Sequence, residues 1–132
     1  MNKKIAILVL VLVLIGFFMF YFFSFVSLDI GNEIITLENG MIIPNETCER
    51  LNRVTIIHKT GCTECLKVIP ILKKIEEENN LNFIYFDMLN PEDMVKLLEL
   101  KLTLEKAPIA IIDCKVYGPR TELEYKNYIL ET

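Results

Sequence analysis

Apolar and polar positions divide this chain into one unbroken hydrophobic block and a longer run of short alternating pieces. From Ile5 to Leu28 there is no charged residue. In a helix rising ~1.5 Å per residue, a block of about 24 residues spans about 36 Å, enough to cross a ~30 Å hydrocarbon core with some tilt. A helix apolar on every face does not suit burial inside a domain of this size. Beyond it, Ile34-Ile35-Thr36-Leu37 and Met41-Ile42-Ile43 flank Glu38-Asn39-Gly40, and Asn-Gly between apolar runs predicts a hairpin. Pro44-Asn45-Glu46 reads as a turn and residues 47–52 as a short helical turn. Val54-Thr55-Ile56-Ile57-His58 is a β-branched run that predicts a buried strand.

From about Cys62 to Asn79 the apolar positions recur at helical spacing, and Asn82–Asp87 predicts a second strand. A helix crossing between two such strands implies parallel pairing. Asn90 as cap, Pro91 at the first position and Glu92 and Asp93 in the first turn open a helix to about Leu100. Ala107-Pro108 leads into a third strand, Ile109–Ile112. Asp113-Cys114 is a tight turn into an antiparallel fourth, Lys115–Tyr117. Gly118-Pro119 breaks the chain, and Thr121 with Glu124 fits a capping box that opens a final helix to about Leu130.

Charge changes the picture of the apolar block. Lys3, Lys4 and the amino terminus precede it, whereas Asp29, Glu33 and Glu38 follow it. The positive-inside rule then puts the N-terminus in the cytoplasm and the rest outside. A cleaved signal peptide has an apolar region of about 7–15 residues ending at an A-x-A-like site. This block is longer, and Ser24 and Ser27 are not spaced as such a site. The expectation is an uncleaved anchor over residues 1–28, a juxtamembrane extension over 29–52 and a domain over 53–132. The cluster Phe17, Phe18, Phe20, Tyr21, Phe22 and Phe23 suits an aromatic belt. Residues 29–132 hold all 18 acidic and 12 of the 14 basic residues, a formal balance of −6 that argues against nucleic acid as partner. The charged run Lys73, Lys74 and Glu76 to Glu78 reads as a solvated helix end. Asn45-Glu46-Thr47 fits the glycosylation triplet, a pattern that chance often produces.

The candidate chemistry lies in Cys62-Thr63-Glu64-Cys65, between the first strand and the long helix. Two cysteines so spaced at a helix start can close a disulfide across one turn. The first then sits among unsatisfied N–H groups whose field favours the reactive thiolate. Cys62 is the expected nucleophile and Cys65 the resolving thiol. Glu64 would oppose a thiolate and Lys59 would favour it. His58 reads as a half-buried strand residue rather than a proton carrier. The spacings of Cys48, Cys62, Cys65 and Cys114 match no common zinc pattern, so neither metal nor other cofactor is expected. Four cysteines facing an oxidising compartment suggest two disulfides.

In element order and motif register, the stretch from roughly Arg53 to Thr132 resembles the thioredoxin superfamily. The C-x-x-C follows the first core strand, Pro70 stands five residues after Cys65, and Pro108 falls where the family's cis-proline begins the third core strand. The resemblance implies an α/β, thioredoxin-like fold (βαβ, helix, ββ, helix) behind the single N-terminal transmembrane helix. It implies a thiol–disulfide oxidoreductase acting on protein thiols and disulfides. Pro108 would be cis and face the cysteine pair, with the backbone of Ala107 pairing with substrate. A membrane or soluble redox partner would exchange electrons with it. Since the family's third core strand runs antiparallel beside the first, it also implies that Cys114 lies near Cys48, within reach of a structural disulfide. Five positions depart from the family pattern: Gly61 replaces an aromatic residue, Thr63-Glu64 replaces Gly-Pro, Ile56 replaces a buried carboxylate, and Ala107 replaces a larger residue. These leave the direction of electron flow open. The alternative is a non-enzymatic thioredoxin-fold binding module with a structural or metal-holding C-x-x-C.

Overall fold

The computed structural model describes residues 2–26 and 33–131, which fall into two compact units, Met1–Glu33 and Ile34–Thr132. The first unit holds helix α1, Lys3–Val26, long and apolar enough to cross a membrane by length and composition. Its described side chains are all exposed, and Phe17 and Tyr21, one turn apart, stack at 6.1 Å. The expected anchor end at Leu28, with Ser27 and Asp29 beside it, lies outside the described residues.

The second unit is a mixed α/β domain. Its elements are β1 (Ile35–Leu37), α2 (Asn45–Cys48), β2 (Val54–His58), α3 (Thr63–Glu78), β3 (Ile84–Asp87), α4 (Pro91–Glu99), β4 (Leu102–Leu104), β5 (Ile109–Ile112), β6 (Lys115–Tyr117) and α5 (Glu122–Leu130). The main sheet has the order β3-β2-β5-β6. β2 pairs in parallel with β3, as a crossover helix requires, and β5 runs antiparallel to both β2 and β6.

Both faces of this sheet are covered, which is why its central strands β2 and β5 are buried almost throughout rather than alternating. On one face Val54, Ile56, Ala110 and Ile112 pack with Val68, Leu72 and Ile75 of α3 and Tyr125 and Ile129 of α5. On the other, Ile57, Ile109, Ile111 and Val116 pack with Leu97 of α4 and with Leu37, Ile43, Leu102 and Leu104. Each side chain buried as fully as Leu72 is worth roughly 1.5–3 kcal/mol against exposure. Tyr125 is buried too, and its hydroxyl donates to the Gly118 carbonyl at 3.0 Å. Burial pushes that phenol up to about 12, so it remains a donor at neutral pH.

The expected hairpin over residues 34–43 does not form. β1 instead pairs in parallel with β4, a strand the sequence reading left out, in the register Ile35↔Leu102 to Leu37↔Leu104. After the turn at Glu38–Gly40 the chain runs along the outer edge of β6. Gly40 N–H donates to Val116 O, Val116 N–H to Met41 O, and Ile43 N–H to Cys114 O, each at 2.8 Å. That edge would otherwise offer unpaired backbone groups to other chains. The physical reason is burial: a lone hairpin would leave Leu37 and Ile43 without a core, whereas here both are buried. The compact unit therefore begins at Ile34, not at Arg53.

The charged end of α3 is more connected than a solvated helix end. Glu76 accepts from Phe83 N–H at 2.6 Å and from Tyr85 Oη at 2.9 Å, which ties α3 to β3. Lys74 meets Glu122 at 2.9 Å, and Lys126 bridges Glu78 and Glu122 at 3.2 and 2.8 Å, which links α3 to α5. Lys126 and Lys74 hold the Glu122 carboxyl down at about 2.

Candidate functional site

Cys62 and Cys65 stand where β2 delivers the chain into α3. The turn between them and β2 is closed by Cys62 N–H donating to Lys59 O at 3.1 Å, with Gly61 at φ +82°. A residue with a side chain is strained at that φ, so Gly61 in place of an aromatic residue follows from the turn itself. Asp87, at the end of β3, clamps this loop. Its carboxylate accepts from Thr60 N–H at 3.2 Å, from the Thr60 hydroxyl and from Leu89 N–H at 2.9 Å. The sequence reading missed this clamp; an Asp at a strand end beside a turn was the signal available.

The Thr60 hydroxyl, with the Leu89 N–H bond next, lowers the Asp87 carboxyl below the ordinary carboxylate range. A carboxylate with a folded-state pKa below its unfolded value stabilises the fold above the unfolded value. That contribution is lost as pH falls through the lowered folded value. Asp87→Asn is expected to lower stability at neutral pH by about 1 kcal/mol and to flatten the decline of stability in acid. Thermal unfolding at several pH values checks this; a variant that keeps the parent's pH slope would show that Asp87 is not the group titrating.

Cys62 is the N-cap of α3, and its Sγ accepts from Cys65 N–H at 3.0 Å. The same sulfur lies 3.8 Å from the carbonyl oxygen of Ala107. The two cysteines form a disulfide with Cα atoms 5.2 Å apart. They differ in access: Cys62 is half-buried, whereas Cys65 is only 3% exposed. Pro70 lies within α3, where it removes the N–H that would pair with the Leu66 carbonyl. The Ala107–Pro108 peptide bond is cis, and Pro108 is buried at the start of β5.

Ile56 is fully buried among apolar side chains, with Val68 and Leu72 of α3 in the same cluster. Among the described residues Thr55 is the buried polar side chain, and its hydroxyl donates to Asn52 O at 3.2 Å. Glu64 is exposed and ion-paired with Lys67 at 3.1 Å on the outer side of α3. His58 is half-buried, with its ring 6.5 Å from that of Tyr85.

Cys48 and Cys114 form the second disulfide, Cα atoms 5.5 Å apart. Cys114 and Asp113 occupy the two-residue turn between β5 and β6, at φ +68° and +46°. Arg53 braces that turn, meeting the Asp113 carboxylate at 3.0 Å and donating to Ile129 O at 2.7 Å. The two disulfides lie at opposite ends of β2, so the four cysteines do not converge. Among the described residues no cluster of His, Cys, Asp or Glu is arranged to hold a metal ion.

A groove of about 580 Å³ has Ala107, whose carbonyl lies 3.8 Å from Cys62 Sγ, in its wall; neither cysteine lines it. Its walls are the Lys106–Ile109 segment around the cis peptide bond, Gly118-Pro119 after β6, and Leu37-Glu38-Asn39; Glu64 also lines it. The third wall comes from residues the sequence reading placed in a juxtamembrane extension. A disulfide in this setting can be attacked by a thiolate at its more accessible sulfur, that of Cys62.

Among solved structures, the chain is similar to the crystal structure of a mutant of the thioredoxin-like protein BC3987. The two are 18% identical with a TM-score of 0.40, over 59% of this chain and 95% of that one. No family model matches the chain, and no curated protein matches it.

Proposed function

We propose that this protein is a membrane-tethered thiol–disulfide oxidoreductase of thioredoxin-like fold that exchanges disulfides with protein substrates outside the cytoplasm. The observation that carries the reading is the unequal exposure of a disulfide capping a helix N-terminus beside a cis X-Pro bond. In the oxidising direction, a substrate thiolate attacks Cys62 Sγ, forms a mixed disulfide and displaces the Cys65 thiolate, which takes a proton. A second substrate thiolate then attacks the substrate sulfur of the mixed disulfide and releases Cys62. The substrate dithiol loses two electrons and two protons to the pair; the reverse sequence reduces a substrate disulfide. The Cys65 N–H and the α3 N-terminus favour the Cys62 thiolate as leaving group or attacking group. With Ile56 beneath the helix, no buried carboxylate stands among the described residues to carry the Cys65 proton, so water or the substrate serves. Support for the tether is α1, with Lys3 and Lys4 in its first turn ahead of the apolar block and acidic residues after that block.

The full chain in non-ionic detergent should catalyse insulin disulfide reduction with a dithiol donor, or oxidation of a peptide dithiol with a disulfide acceptor, well above the uncatalysed rate. No turnover in either direction with Cys62 and Cys65 intact would sink the reading and leave the binding module.

A further inference from the structure

The hydrogen bonds behind the reactive pair lead from Cys62 to the far end of β3. Cys62 N–H donates to Lys59 O at 3.1 Å, which makes Thr60 and Gly61 the corner residues of the turn that delivers Cys62 to α3. Gly61 has no side chain to be held by. Thr60 is the corner residue that is gripped: its N–H and its hydroxyl both donate to the Asp87 carboxylate.

Asp87 is itself anchored. Its N–H donates at 3.0 Å to the carboxylate of Asp93 in the first turn of α4, and Leu89 N–H donates to its Oδ1 at 2.9 Å. Met88 N–H beside it donates to His58 O at 2.8 Å, which keeps the end of β3 paired with β2. What the turn positions is a sulfur. Cys62 Sγ caps α3 and accepts from Cys65 N–H at 3.0 Å. The field of a helix N-terminus falls off within its first turn, so a thiolate is favoured there only while the sulfur stays at the cap.

We propose that Thr60 and Asp87 are positioning residues for Cys62, holding the preceding turn so that its sulfur stays on the α3 N–H groups and reacts as the thiolate. Their effect on turnover rests on the oxidoreductase reading above; their effect on the thiolate does not. His58, Lys59 and Glu64 carry the other charges on the flanking segments, and Glu64 is matched by Lys67. Thr60 is exposed, so replacing it leaves the core and all of these charges in place.

The test uses the full chain in non-ionic detergent carrying Cys65→Ser, which keeps the backbone N–H and leaves Cys62 as a free thiol. Alkylation of Cys62 by iodoacetamide is followed across pH by peptide mass spectrometry, with thermal unfolding alongside. On the rising limb of the profile Thr60→Val should react about threefold more slowly than the parent, the low end of what one hydrogen bond is worth, and on the plateau at the same rate. Thr60→Ser keeps the hydroxyl and should follow the parent. In an Asp87→Ala background, where the hydroxyl has lost its acceptor, Thr60→Val should make no further difference. An unmoved profile in Thr60→Val, whatever its Tm, overturns the proposal. So does an equal slowing in Thr60→Ser, or a full Thr60→Val effect that survives in Asp87→Ala. The expected profiles in a protein whose Cys62–Cys65 form shows no turnover uphold the positioning role and overturn the oxidoreductase reading instead.

Discussion

In a Cys65→Ser variant, Cys62 is expected to accumulate in mixed disulfides with protein partners while overall turnover drops by orders of magnitude. The two sulfurs have unequal access, and the proposed function gives them unequal roles. Cys62 caps α3, faces the groove wall at Ala107 and is half-buried, whereas Cys65 lies one turn inside the helix and is buried. A substrate sulfur can reach Cys62 and not Cys65. Once it is bound there, the group placed to release it is Cys65, whose own N–H already points at Cys62 Sγ from 3.0 Å. Replacing the Cys65 sulfur with oxygen removes the resolving attack and leaves the first one intact. Non-reducing gels of cells expressing the variant, followed by mass spectrometry of the adducts, would identify the partners. Cys62→Ser should form none. Adducts on Cys62→Ser, or none on Cys65→Ser, would reverse or remove the assigned roles.

The second large effect concerns stability. The Cys48–Cys114 disulfide joins residues 66 apart in sequence. In the chain-entropy model a loop of that length restricts the unfolded chain by about 4 kcal/mol. The double variant Cys48→Ala, Cys114→Ala is therefore expected to lose about 3–4 kcal/mol. For a domain of about 100 residues this lowers Tm by roughly 15–25 °C. The loss acts on a particular place. Residues 40–43 are held along β6 by three backbone hydrogen bonds and Ile43, and the bridge from Cys48 to the β5–β6 turn fixes the chain just beyond them. Without it, that run of chain is expected to gain amide hydrogen exchange before the central strands do. Calorimetry and exchange mass spectrometry read the two effects. A Tm within a few degrees of the parent would show that the extension is held by packing alone.

Local signals in the chain were strong wherever a residue acts through its own backbone or its near neighbours. Asn90 caps α4 by accepting from Glu92 and Asp93 N–H, and Thr121 with Glu124 forms the capping box of α5, both where the residue types pointed. β2, β5 and β6 begin and end as the apolar runs indicated. The Cys62–Cys65 spacing was legible for the same reason, whereas the places of Pro70 and of the cis bond at Pro108 were implied by the thioredoxin resemblance. The two-residue turn at Asp113-Cys114 was legible as well, although its left-handed residues include a cysteine.

What stayed illegible were partnerships between distant segments. Asn39-Gly40 is a sound hairpin signal, yet Ile35–Leu37 pairs with Leu102–Leu104, more than sixty residues away. Three-residue strands carry too little pattern to name a partner, and the partner is chosen by which apolar face remains uncovered. The same holds for Asp87 on Thr60, for Glu76 on Tyr85 and for the groove wall at Glu38.

By itself, then, the sequence determined the apolar N-terminal helix, the order of the elements from β2 to α5 apart from β4, and a cysteine pair at a helix start, because propensity, capping and spacing act within a few residues. Only the tertiary structure decided that residues 34–52 belong to the domain, that they cover the edge of β6, and that Leu37 to Asn39 line a groove with Ala107 and Pro108. Those outcomes depend on closing long loops to bury Leu37 and Ile43, a balance of burial against chain entropy that no local pattern encodes.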